Sequence, residues 1–216
     1  GISRNPTQPS ANTPKTSTKG PMGEPTLYAS PVSLYSGKAR SYLIKAGIPH
    51  AEKPPGDAHF RERVLPKAGS LTVPTMETAD GTVVRDSTRI IDHYEELQPR
   101  FSPQSPCQSV VSRLFDVIGS EGLLRPAMHY RWNFPEANEA FLKRHFEMLA
   151  PKGIDASSMA EAGMQRMRMA GVAFGATPDN FAGIESLYES FLERLDAHFL
   201  ANGYLLGGNV TFHAGK

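Results

Sequence analysis

The sequence predicts a small α/β domain followed by an all-helical domain. Residues 25–99 read in order as βαβαββα, because short apolar or β-prone runs alternate with segments of helical periodicity. Beyond Pro99 the β-prone runs stop, and every sizeable segment repeats its apolar residues at helical spacing. The change falls at residues 100–106, a polar stretch with two prolines that we interpret as the linker between the domains.

The α/β domain begins with a strand, a loop and a helix. Leu27–Ala29 is short and apolar and predicts a buried strand, and the helix after it ends at Gly47. Six residues at helical spacing mark that helix: Leu34, Tyr35, Ala39, Tyr42, Leu43 and Ala46. Residues 50–53 predict a second strand, and residues 58–65 predict a helix that ends near Pro66.

A hairpin and another helix complete this domain. Asp80-Gly81 separates two β-prone runs, residues 73–76 and 82–84, and Asp-Gly in that setting is the strongest short-range hairpin signal. The following helix ends before Pro99. In residues 107–216, assigned to the second domain, helices are predicted over 110–118, 141–149, 157–170 and 181–199.

Composition excludes several classes of function. A net charge of +1 over 216 residues favours neither nucleic acid nor an anionic membrane surface. No apolar run approaches the roughly 20 residues that a spanning helix needs. One cysteine and no HExxH spacing argue against a disulfide framework and a metal site, so we expect a cytoplasmic protein without metal.

Residues 1–24 differ from the rest of the chain. They are rich in Pro, Ser, Thr, Asn and Gly and have almost no large apolar side chains, so we predict a disordered tail. Its basic residues, with no acid before Glu24, resemble an organelle transit peptide weakly, but the prolines and the missing amphipathic face argue against one. Because of its basic residues, organelle targeting stays the alternative interpretation of this tail.

Three segments together resemble the glutathione S-transferases. They are LYASPVSLYSGKARSYLIKAGIP (27–49), TVPTMETADGTVVRDSTRIIDHYEE (72–96) and LDAHFLANGYLLGG (195–208). The resemblance spans residues 26–208. It implies a thioredoxin-like first domain with a mixed sheet, an all-α helical bundle as the second domain, and a homodimer. It also implies conjugation of glutathione to a small apolar electrophile.

The resemblance assigns glutathione to two places in the first domain. In this family a cis bond, here Val73-Pro74, turns backbone groups outward, where the cysteinyl part of glutathione pairs like an added strand. Asp86 would bind the α-ammonium of the γ-glutamyl group, and Ser87 with the helix N-terminus would hold its α-carboxylate. Asp and Ser are also ordinary helix caps, so capping alone is the alternative interpretation.

The family activates the glutathione thiol with a hydroxyl or thiol at the start of the first helix. A hydrogen bond to the thiolate, aided by the helix dipole, lowers the pKa of the sulfur. Counting back from Arg40, Ser33 matches the Ser or Cys position of the zeta- and omega-like classes, and Ser30 is the second candidate. Ser33 is also a candidate N-cap, and the two roles are compatible.

Tyr35, His129 and Tyr130 are the candidates for the pocket that holds the electrophile. The alternative is that the aromatic residues near position 130 pack the domain core, and for Trp132 we favour that interpretation.

The end of the sequence departs from the family pattern. Thr211 fits the cap of a buried helix found in the family, but Ala214 occupies the position of the expected Asp. We expect the helical domain to be incomplete there and the apolar faces of the preceding helices to be exposed. Two functions follow: an enzyme that uses Ser33, or a non-catalytic module of the same fold that binds glutathione or docks proteins.

Overall fold

The computed structural model describes residues 23–208 and residue 211. Its first domain has the predicted order βαβαββα. The strands are β1 (Thr26–Tyr28), β2 (Ala51–Lys53), β3 (Thr75–Glu77) and β4 (Val83–Arg85), and the helices are α1 (Leu34–Lys45), α2 (Leu65–Ala68) and α3 (Ser87–Leu97). The predictions for residues 1–22 and for Ala214 lie outside the described residues.

The four strands form one mixed sheet, as predicted, and their order in it is β2-β1-β3-β4. Strand β1 runs parallel to β2 and antiparallel to β3, and β3 pairs with β4 across the predicted hairpin. Gly81 closes that hairpin with a φ of 79°, a left-handed conformation that glycine adopts without a steric cost.

Alternating side chains of the strands place a core on each face of the sheet. On one face Leu27 and Met76 pack with Tyr42 of α1 and with Ile90 and Ile91 of α3. On the other face Tyr28 packs with Phe60 and Val64. Full burial of one such large apolar side chain contributes about 1.5–3 kcal/mol, so both faces stabilise the short strands.

The helix predicted over residues 58–65 runs further than expected. A π-helical turn, Phe60–Val64, leads directly into α2, which ends at Gly69 with a φ of 71°. The prediction that Pro66 ends the helix was wrong, because Pro66 lies in the first turn of α2. The π-helical turn before it uses i→i+5 hydrogen bonds, such as Leu65 N–H to the Phe60 carbonyl, and this change of pattern accommodates the missing N–H of proline.

The second domain is helical, as predicted. Its helices are α4 (Pro106–Val117), α5 (Leu124–Trp132), α6 (Pro135–Glu147), α7 (Ala156–Ala173) and α8 (Phe181–Ala201). Helix α5 was not predicted separately, because it is short and contains Pro126. The core joins Trp132 to Met128, Leu142, Met164 and Ile184, which confirms the core interpretation of Trp132.

Apolar side chains on α4 and α8 are exposed, as expected from the sequence. Val110, Leu114 and Val117 on α4, and Leu187, Leu192, Phe199 and Leu200 on α8, are all more than one-third exposed. We call these residues the α4/α8 apolar surface. Among the described helices, none combines the length and the apolar character that crossing a membrane requires.

A buried ion pair joins the two domains. Lys38 of α1 contacts Asp116 of α4, and their side chains are only 1% and 11% exposed. Thr88 of α3 completes the network: its Oγ1 accepts a 2.9 Å hydrogen bond from Lys38 Nζ and donates a 2.9 Å bond to Asp116 Oδ2. The network fixes α1 and α3 of the first domain against α4 of the second.

Asp116→Ala is expected to destabilise the protein by about 3–5 kcal/mol, because it leaves the Lys38 ammonium buried without its counter-charge. The measurement is the free energy of unfolding in urea. Asp92→Ala is the matched control: it removes a partly exposed carboxylate 2.6 Å from Arg113 in a surface pair worth about 0–1 kcal/mol. Equal losses in the two variants would show that the Lys38–Asp116 pair is not a major source of stability.

Candidate active site

The sheet brings the predicted site residues of the first domain to one edge. Tyr28, Thr75 and Arg85 are neighbours in register, at the end of β1, the start of β3 and the end of β4. The backbone N–H of Asp86 donates to the carbonyl of Pro74 at 3.1 Å, one step beyond that row. Val73-Pro74, Asp86-Ser87 and the loop from β1 to α1 therefore share this edge.

The Val73-Pro74 peptide bond is cis, as predicted. In the part of the chain that the structure describes, neither the N–H nor the C=O of Val73 has a hydrogen-bond partner. Val73 lies just before the start of β3, and a backbone with an unpaired N–H and an unpaired C=O at such a place is able to pair with an extended peptide as an added strand.

Asp86 caps α3 with one carboxylate oxygen and leaves the other available. Its Oδ1 accepts the backbone N–H of Thr88 at 2.8 Å, whereas Oδ2 has no partner among residues 23–208. Asp86 is exposed and its φ is 83°, a left-handed value that is uncommon outside glycine. Ser87, beside it, is buried. The capping interpretation therefore holds, and it leaves a negatively charged oxygen at the helix start.

Ser33 and Ser30 have different environments. Ser33 is the N-cap of α1: its Oγ accepts the backbone N–H of Ser36 at 3.2 Å, and its own O–H has no acceptor in the described chain. The Ser30 hydroxyl is also unpartnered but is buried, with the residue 3% exposed. Of the two, only Ser33 lines the large cleft between the domains.

That cleft has a volume of about 720 Å³, which suits a small organic ligand. The first domain contributes the start of α1, including Ser33 and Tyr35. The second domain contributes Tyr130 and Arg131 of α5 and Tyr188 of α8, together with the apolar residues Leu123, Leu124, Ala127, Phe141 and Leu142. Its walls are mainly apolar, with a few polar groups converging on it.

Tyr35 lines the cleft but already uses its hydroxyl. The O–H donates to the carbonyl of Ser120 at 2.8 Å, across the domain boundary. Burial raises the pKa of Tyr35, and the negative charges of Glu121 and Asp86 raise it further. The phenol is therefore neutral and acts as a hydrogen-bond donor at ordinary pH.

Helix α5 separates the two other residues predicted for the pocket. Tyr130 lines the cleft, and its ring centroid lies 5.4 Å from that of Tyr188. His129 does not line it: the residue is fully buried, with Nε2 2.8 Å from Glu185 Oε1 and Nδ1 3.0 Å from the amide of Asn133. Successive helical residues point about 100° apart, so adjacent positions face different surroundings.

The sequence reasoning missed Arg131 and Tyr188, which also line the cleft. Helical spacing carried the signal for Arg131. Positions 124, 127 and 131 of α5 fall on one face, and that face lines the cleft, whereas Met128 and Trp132 fall on the core face. Within the described residues, no group of three or more His, Cys, Asp or Glu side chains is placed to hold a metal ion.

Residues 27–104 match the family model described as glutathione S-transferase, N-terminal domain. The first domain is therefore similar to the N-terminal domain of the glutathione S-transferases. It is followed by a helical second domain, and the two together form the glutathione S-transferase fold, which confirms the predicted fold class and the resemblance. A search of curated proteins found no match.

Solved structures share this fold at low sequence identity. A glutathione S-transferase from Rhodospirillum rubrum F11 is 18% identical, with a TM-score of 0.54 over 88% of this chain and 72% of that chain. A theta class glutathione S-transferase from Xanthomonas axonopodis pv. citri, solved with glutathione bound, is 17% identical, with a TM-score of 0.51 over 89% and 78%. FzlA from C. crescentus is 16% identical, with a TM-score of 0.52 over 88% and 74%.

Ser33→Ala is expected to cost about 1 kcal/mol of stability, because it removes the oxygen that accepts the Ser36 N–H at the start of α1. Unfolding in urea measures this. Ser105→Ala is the matched control, since Ser105 caps α4 in the same way, accepting the N–H of Gln108 at 3.2 Å. A far larger loss in Ser33→Ala than in Ser105→Ala would contradict a simple capping contribution.

Proposed function

We propose that this protein binds glutathione and conjugates its thiolate to a small apolar electrophile held in the interdomain cleft. One observation carries the proposal. The unpaired backbone of Val73, the carboxylate of Asp86 at the start of α3, and the cap of α1 that bears Ser33 converge at one edge of the sheet. That edge supplies groups suited to the γ-glutamyl ammonium, the cysteinyl backbone and the thiol of glutathione.

The γ-glutamyl group carries an α-ammonium and an α-carboxylate. In the proposal, Asp86 Oδ2 accepts hydrogen bonds from the ammonium, while Oδ1 continues to cap α3. The backbone N–H groups at the start of α3, together with the Ser87 hydroxyl, hold the carboxylate, because a helix N-terminus attracts negative charge. The cysteinyl residue pairs with the backbone of Val73, which directs its sulfur toward the start of α1.

Ser33 is the group that we propose stabilises the thiolate. Its Oγ accepts from Ser36 N–H, and its O–H is left to donate to sulfur. The first turn of α1 contains no acidic residue, so the positive end of the helix dipole is not offset there. Both effects favour the thiolate and lower the pKa of the bound thiol. The thiolate then attacks the electrophilic carbon, and the leaving group departs with its bonding electrons.

Ser33 is preferred to Ser30 because of access. The Ser30 hydroxyl is enclosed beneath the loop and does not reach the cleft, whereas Ser33 lines it. Tyr35 lines the cleft as well, but its O–H is committed to the Ser120 carbonyl. We propose that Tyr35 and Tyr130 contact the electrophile, and that His129 supports α5 from within the core.

We also propose a cytoplasmic homodimer that serves detoxification, on the basis of the family resemblance. The exposed apolar side chains of the α4/α8 apolar surface support self-association, because covering them with a second copy would remove apolar area from water. The same surface supports a second candidate function, a non-catalytic scaffold that docks another protein on this fold. The experiments below separate the two candidates.

Millimolar glutathione is expected to raise the melting temperature, and Asp86→Ala is expected to abolish the rise. A ligand that binds only the native state at 100 times its Kd stabilises by about 2.7 kcal/mol. Asp92→Ala, in the same helix but on the Arg113 side, serves as the control and should keep the full response. If Asp86→Ala responds to glutathione as the unsubstituted protein does, Asp86 is a helix cap and nothing more.

Ser33→Ala is expected to lower kcat/KM for a model aryl halide by about a hundredfold, because it removes one preorganised donor to the developing negative charge. It should also raise the pKa of the bound thiol, measured from thiolate absorbance as a function of pH. Ser30→Ala is the comparison and should change both quantities little. Equal activity in the two proteins, with glutathione still bound, would contradict the role assigned to Ser33, whereas glutathione binding with no turnover in either protein would favour the scaffold.

A further inference from the structure

Arg131 presents an unpaired positive charge to the interdomain cleft. Its position on α5 places it with Ala127 and Tyr130 in the cleft wall. Among residues 23–208, no carboxylate forms an ion pair with its guanidinium, and no acceptor forms a hydrogen bond with it. Arg40, Arg113 and Arg168, in contrast, each pair with a carboxylate.

The partly buried position of Arg131 makes its unpaired charge a favourable place for an anion to bind. The residue is partly buried among apolar side chains, and burial lowers the pKa of Arg131, although an arginine stays charged at any physiological pH. A partly buried cation without a partner is costly, and an anion that enters the cleft removes that cost. The other cation in the cleft wall, Lys38, is already bonded to Asp116 and Thr88.

We propose that Arg131 binds a carboxylate on the electrophile, so that the preferred substrates are compact aromatic acids rather than neutral apolar molecules. This inference rests on the proposed function and names its substrate class. The planar guanidinium donates two parallel hydrogen bonds to a carboxylate, a geometry that lysine does not reproduce. Tyr130, Tyr188 and Phe141, in the same wall, supply aromatic surface for the body of the substrate.

The chemical step for such a substrate is a simple displacement. With para-(chloromethyl)benzoate, the glutathione thiolate forms a carbon–sulfur bond at the benzylic carbon. Chloride leaves with the carbon–chlorine electron pair, and the thiol proton has passed to solvent beforehand. The carboxylate takes no part in the bond changes, so its effect reports recognition alone.

Binding is tested first, without glutathione and without turnover. Isothermal titration compares para-methylbenzoate with para-methylbenzamide, which differ in charge but hardly in shape. We expect the acid to bind about tenfold more tightly, a typical worth for a charge-assisted hydrogen-bonded pair. Arg131→Gln should remove the preference, and Arg131→Lys should keep part of it. Arg166→Gln, an exposed arginine on α7 outside the cleft lining, is the matched control and should retain the preference.

Turnover is tested second, with para-(chloromethyl)benzoate and para-(chloromethyl)benzamide. The acid-to-amide ratio of kcat/KM should fall about tenfold in Arg131→Gln, with the Kd for glutathione unchanged. If Arg131→Gln weakens glutathione itself to the same degree, Arg131 holds a carboxylate of glutathione and the inference is overturned. An acid preference that survives in Arg131→Gln also overturns it.

Failure of the proposed function gives a different pattern. If neither chloride is conjugated, yet the unsubstituted protein prefers para-methylbenzoate and Arg131→Gln does not, the anion site stands and conjugation is rejected. If both chlorides are conjugated with no preference for the acid, conjugation stands and the anion site is rejected.

Discussion

The contact of Lys38 with Asp116 and Thr88 is the interaction on which the rest of this architecture depends. A lysine ammonium has no stable place in an interior unless a counter-charge and hydrogen-bond acceptors meet it there. Lys38 obtains the charge from α4 and a hydroxyl from α3, so the first domain alone does not satisfy it. The requirement holds α1 against the helical domain, and the cleft exists between those two walls.

The same network reaches the candidate glutathione site through Thr88. The side chain of Thr88 belongs to the ion-pair network, and its backbone N–H donates to Asp86. Asp86 holds a left-handed φ of 83°, a conformation that costs a residue other than glycine on the order of 1–3 kcal/mol and persists only where neighbouring contacts impose it. The bond from Asp86 N–H to the Pro74 carbonyl and the Thr88 cap are two such contacts.

The elements that could be predicted from the sequence are those whose conformation depends mainly on neighbouring residues. Asp80-Gly81 strongly favours a tight turn, so the hairpin could be predicted from the sequence. The order βαβαββα could be predicted from the alternation of β-prone runs and helical periodicity. Pro66 and α5 were harder to predict. Proline usually ends a helix, but here it follows a π-helical turn that the sequence does not announce, and α5 is too short to show strong periodicity. Adjacent positions in the site were misleading. His129 and Tyr130 look equivalent in sequence, but the packing of α5 buries His129 against the partly exposed Glu185 and directs Tyr130 to the cleft. No sequence pattern shows which cation lacks a partner. That depends on Asp116 contacting Lys38 and on no acid of residues 23–208 contacting Arg131.

The cleft has one wall from each domain, so release of a bound molecule is coupled to relative motion of the domains. A molecule that touches both Ser33 on α1 and Tyr130 on α5 acts as a bridge between bodies that are otherwise connected covalently only by the segment between α3 and α4. Separation of the walls then requires that molecule to detach first, so its departure and the relative motion of the domains become one event. Such motions occur on microsecond to millisecond timescales, so in the proposed conjugation the separation of the walls would place its own upper limit on the rate of each cycle.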